Sequence, residues 1–82
     1  MFRILTEDKN AEQIMAILNG FGMDFTLKQA LGSWHGKREE SLSIELDGIT
    51  LENAVRAALA IKVLNEQEAV LLQEIPVTSY LL

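Results

Sequence analysis

DFTLKQALGSWHGKREESLSIEL, residues 24–46, is the stretch on which the fold turns. Residues 24–34 and 39–46 read as two strands. Phe25, Leu27 and Leu31 alternate in the first, and Leu42, Ile44 and Leu46 in the second. An antiparallel register with Leu31 opposite Leu42 and Leu27 opposite Leu46 gathers these side chains on one face. The same register sets Lys28 opposite Glu45 on the other face, a favourable cross-strand pair. It leaves His35, Gly36, Lys37 and Arg38 as a four-residue loop. Because one parity satisfies the apolar face and the charges together, a β-hairpin is the firmest expectation in the chain.

Upstream, FRILT (residues 2–6) reads as a short strand, followed by a helical segment from Ala11. Asn10 is placed to cap that helix, and Gln13 suits a capping-box-like pairing. Ala11, Ile14, Met15 and Leu18 recur on one side with Ile17 and Phe21 beside them; Glu12, Gln13, Ala16 and Asn19 fall opposite. Gly20 and Gly22 are the expected stop. Downstream, Asp47-Gly48 marks a turn, Thr50 caps a second helix to about Leu64, and Asn65 ends it. AVLLQEI (residues 69–75) is a β-rich run closed by Pro76, and VTSYLL trails behind it.

The predicted order, β-α-β-β-α-β, specifies an α+β ferredoxin-like sandwich: a four-stranded antiparallel sheet with both helices on one face. Eighty-two residues, 49% of them apolar and 23% charged, make one globular domain spanning 1–82, with a short apolar tail at 76–82. A chain of this length buries only a little over ~60% of its unfolded surface, so oligomerisation is a common supplement to its core. No stretch approaches a membrane helix, and MFRILTEDKN does not read as a signal peptide. The absence of cysteine excludes disulfides and thiolate chemistry and suits a cytoplasmic setting. A net charge of −5 opposes general nucleic-acid binding.

The loop region holds the single Trp and the single His. As a ligand site, Trp34 would stack, His35 would titrate near neutrality, and Lys37 and Arg38 would hold a phosphate or carboxylate. As a hairpin tip, Gly36 and its polar neighbours are what the turn requires, and that reading comes first. No metal site is expected, since one His with Glu39 and Glu40 beside it lacks ligand spacing. No cofactor is expected either. Ser33, Ser41, Ser43 and Ser79 have no paired base, no nucleophile elbow and no phosphate loop.

Trp34 is expected on the sheet face away from the helices, with Arg3, Thr26, Lys28, Ala30, Ser43 and Glu45, where it either covers the sheet end or anchors a contact. In the second helix Leu51, Ala54, Ala58, Ile61 and Leu64 form the expected core stripe. Val55, Leu59 and Val63 project on the reverse side, with Glu52 and Arg56 paired at i,i+4. Val55, Leu59 and Val63, together with Trp34 and with Tyr80 and Leu81 of the tail, predict an interface between copies, as a dimer or a trimer.

RNA recognition by this topology needs stacking aromatics on the third strand, and ESLSIEL is acidic and has none. A heavy-metal-associated domain lacks its Cys pair here, and the Arg and Asn of an acylphosphatase have no counterpart. The layout resembles the small oligomeric ferredoxin-like domains, in particular the nitrogen-regulatory PII proteins, CutA and ACT domains, although HGKR is too short for a PII effector loop. Gly32-x-Trp34-x-Gly36, then Glu40–Leu42, then Gln67–Leu71, is also similar to small bacterial proteins of unknown function. That likeness carries the fold and no site.

The function expected from the sequence is therefore a non-catalytic, homo-oligomeric binding or regulatory module, with no nucleic-acid or membrane partner. The alternative is a small-molecule or anion sensor whose pocket lies at a subunit seam near Trp34, His35, Lys37 and Arg38. A ferredoxin-like enzyme with an inter-subunit pocket ranks third, with His35 as its acid-base candidate.

Overall fold

A computed structural model describes the backbone of all 82 residues and every side chain except that of Trp34. Six elements follow in the expected order: β1 (Phe2–Glu7), α1 (Ala11–Gly20), β2 (Phe25–Trp34), β3 (Lys37–Leu46), α2 (Leu51–Leu64) and β4 (Leu71–Glu74). The strands form one antiparallel sheet in the order β2-β3-β1-β4. This is a ferredoxin-like α+β fold. Alternation decides the layers: Phe2, Ile4, Leu42, Ile44 and Leu46 share one sheet face and pack against Ile14, Leu18, Ala54, Ala57, Ala58 and Ile61 of the two helices.

The hairpin forms, but its register is shifted by two residues from the expected one. Leu27 lies opposite Ile44, Leu31 opposite Glu40, and Lys28 opposite Ser43. The connection is a two-residue turn, His35-Gly36, not the four-residue loop, and β3 begins at Lys37. Both turn residues have positive φ, 51° and 75°, the signature of a type I′ turn, whose twist matches that of the flanking strands. An even shift leaves every side chain on the same face, so alternation alone does not separate the two registers. Lys28 still reaches Glu45, diagonally, at 2.6 Å. Leu31, however, is 59% exposed and not in the core.

Both helices close by the same device. After α1, Gly22 N–H donates to Asn19 O and Met23 N–H to Leu18 O, with Gly22 at φ 70°. After α2, Glu66 N–H donates to Val63 O and Gln67 N–H to Lys62 O, with Glu66 at φ 53°. These are Schellman motifs. Gly20 is still helical, so the stop of α1 belongs to Gly22 alone. Asn65 is the C-cap of α2, and Glu66 takes the left-handed position.

Thr50 caps α2 as expected, accepting from Asn53 N–H at 3.2 Å. Asn10 occupies the N-cap of α1 in a left-handed conformation, and its side chain makes no cap bond, which overturns the capping-box expectation. Leu51 is 55% exposed, not part of the core stripe, and Ala57 is buried in its stead. At 100° per residue the stripe centres on Ala54, Ala57, Ala58 and Ile61, leaving Leu51 on its flank.

β4 is shorter than the β-rich run. Beyond Leu71, the edge of β1 is met by a side chain: Glu7 N–H donates to Gln67 Oε1 at 3.4 Å where a longer strand would have paired. At the other end Ile75 continues the pairing through backbone bonds to Met1, with Ile75 N–H donating to Met1 O at 2.8 Å.

Candidate functional site

The hairpin outruns the rest of the sheet. β1 pairs with β3 only as far as Glu7 opposite Ser41, so residues 31–34 and 37–40 pair only with each other and form an arm. His35, Lys37 and Arg38 lie exposed at its tip. The expectation that the Trp34 side chain lies on the open sheet face falls outside the described residues. Among the tip residues, Arg38 lines a concavity. This is a groove of about 200 Å³ shared with Asp8, Gln29, Ala30, Leu31 and Glu40. The larger groove at the base of the arm, about 690 Å³, is lined by Glu7, Asp8, Glu39, Glu40, Ser41 and Gln67, along with Leu5 and Thr6. Four carboxylates dominate its field, which favours cationic over anionic occupants.

The open sheet face carries a polar row, with Leu5 and Leu71 paired beside it. Thr26, Glu45, Arg3 and Gln73 lie abreast across the four strands. The hydrogen bond from Lys28 holds the Glu45 carboxyl below the usual carboxylate range; partial burial opposes it, and the charges of Lys28 and Arg3 add to it. Arg3 Nε and Gln73 Oε1 are buried without a hydrogen-bond partner among the described residues.

A second polar group lies at the end of the core. The Thr6 hydroxyl donates to Gln67 Oε1 and accepts from Asn65 Nδ2 at 2.9 Å, while Asn10 Nδ2 donates to Asn65 Oδ1 at 3.0 Å. Thr6 and Asn65 are buried. The knot ties the end of β1 to the start of α1 and the end of α2. Neither asparagine announced this role in the sequence, because both occupy positions where asparagine ordinarily ends or starts a helix. Its buried polar atoms are satisfied by one another, which marks it as architecture.

Besides Phe21, Leu31 and Leu71, apolar surface is left uncovered on α2 and in the tail. On α2, Leu51, Val55, Leu59 and Val63 stand at i+4 intervals in one ridge, between 39% and 76% exposed. Leu51 joins the three residues expected there. The segment after β4 is exposed from Pro76 onward, including Val77, Tyr80, Leu81 and Leu82. Among the described residues no group of three or more His, Asp or Glu is placed to hold a metal ion. No helix is long and apolar enough to cross a membrane.

Comparison with protein-family models, with curated proteins and with solved structures finds no match.

Proposed function

We propose that the chain is a non-catalytic module that works as a homo-oligomer, binding or regulating through its assembly. The observation that carries this is the ridge of Leu51, Val55, Leu59 and Val63 on the outer side of α2. Single exposed apolar residues are ordinary, but four in one row form a contiguous patch of the kind that marks an interaction site. Burying apolar surface contributes roughly 25 cal/mol per Å², and a domain of this size gains from supplementing its small core. The resemblance to PII, CutA and ACT domains, which assemble into oligomers, supports the same reading, and the cysteine-free composition suits a reducing, cytoplasmic setting.

Light scattering across a concentration series tests it. A mass that is a multiple of the 9.2 kDa chain is expected. A monomer at every concentration overturns the proposal.

A further inference from the structure

We infer that the exposed tail of one copy lies along the α2 ridge of a second copy, and that the exchange is reciprocal. This rests on the self-association proposed above and names its surfaces. The ridge from Leu51 to Val63 runs for about 18 Å at the helical rise of 1.5 Å per residue. The tail from Val77 to Leu82, extended at ~3.3 Å per residue, covers about 17 Å. These six residues are long enough to follow the ridge.

Tail and ridge are matched in chemistry. Residues 75–82, IPVTSYLL, carry no charged side chain. Segments that stay in water are ordinarily rich in charge and poor in large apolar residues, so this composition calls for a cover. Val77, Tyr80, Leu81 and Leu82 are all more than half exposed in the single chain. The last backbone bonds on this edge join Ile75 to Met1, and Pro76, which has no N–H to donate, follows them.

The area is sufficient. Each copy brings four large apolar side chains on its ridge and four on its tail. At roughly 60–120 Å² for a fully exposed side chain, scaled by these exposures, a reciprocal exchange covers about 350–700 Å² of apolar surface per partner, within reach of a standard interface of ~800 Å² of which a little over half is apolar. Neither surface reaches that extent alone.

The cysteine-free sequence makes the contact directly readable. Two single variants, Leu59→Cys and Leu81→Cys, are mixed and oxidised, beside each variant alone and the double variant. Exchange predicts a covalent mixed dimer, formed several-fold faster than either self-dimer, and a double variant that links between chains. Removal of residues 76–82 and Leu59→Glu should each weaken assembly at least about tenfold, with circular dichroism unchanged. A double variant that closes within one chain overturns the exchange, since the tail then covers its own helix. A wild-type oligomer that gives no mixed cross-link and survives removal of the tail also overturns it, while leaving self-association intact. A wild-type monomer removes both.

Discussion

α1 and α2 each lay one side on the same sheet, yet their outer sides differ in kind. α1 turns Glu12, Gln13, Ala16 and Asn19 to solvent; α2 turns out Leu51, Val55, Leu59 and Val63. Their ends differ too, since the left-handed closing position holds Gly22 in one and Glu66 in the other. The inner sides are constrained by the core, and there the helices are alike. What distinguishes them lies where the fold imposes no demand, so the apolar outer side of α2 calls for an explanation beyond folding.

The largest expected effect tests the likeness. Leu18→Ala on α1 and Ile61→Ala on α2, both fully buried, should each cost about 2–5 kcal/mol in denaturant unfolding. A much smaller loss for one would mean that its helix is not equally packed. Next comes the difference: Leu59→Glu should dissociate the proposed oligomer, whereas Ala16→Glu, exposed on α1, should leave the solution mass unchanged. Equal behaviour would erase the distinction between the two outer sides.

The helix ends give a finer contrast. Gly22→Ala should cost about 1 kcal/mol through backbone strain alone, because an added Cβ meets no atom within 4 Å. Glu66→Gly should gain roughly 0.5–1 kcal/mol by relieving the same conformation. Opposite signs in thermal unfolding are the check; a loss at Glu66 would indicate that its side chain makes a contact of its own.

The smallest effect lies on the open sheet face. Glu45 has a folded pKa below its ordinary value, so its contribution is present above the carboxylate range and is lost as pH falls through the folded pKa. Lys28→Ala removes the bond that lowers it. The variant should be slightly less stable than wild type at neutral pH, and the gap should close in acid.

Much of this fold was legible because two periodicities are strong: alternation in residues 25–46 and the helical stripes of Ile14, Leu18, Ala54 and Ile61. What alternation does not encode is an even shift of register, and the type I′ turn at His35-Gly36 decided between the two that fit. Leu51 is ambiguous in the sequence because a flank residue at the start of a helix satisfies the same spacing as a core residue. The ridge was readable in part, from Val55, Leu59 and Val63. The polar knot was not, since Thr6, Asn10, Asn65 and Gln67 come together only through tertiary structure.

That knot also gives a local reporter of opening. Thr6 and Asn65 are separated by 59 residues, so their bond closes a long loop, as do the pairs that join β1 to β4. The Glu7 amide is held on this edge by the Gln67 side chain and not by a neighbouring strand. Its exchange with solvent deuterium therefore follows the opening of the knot more closely than the melting of the sheet. One backbone proton thus reports on a knot made of side chains.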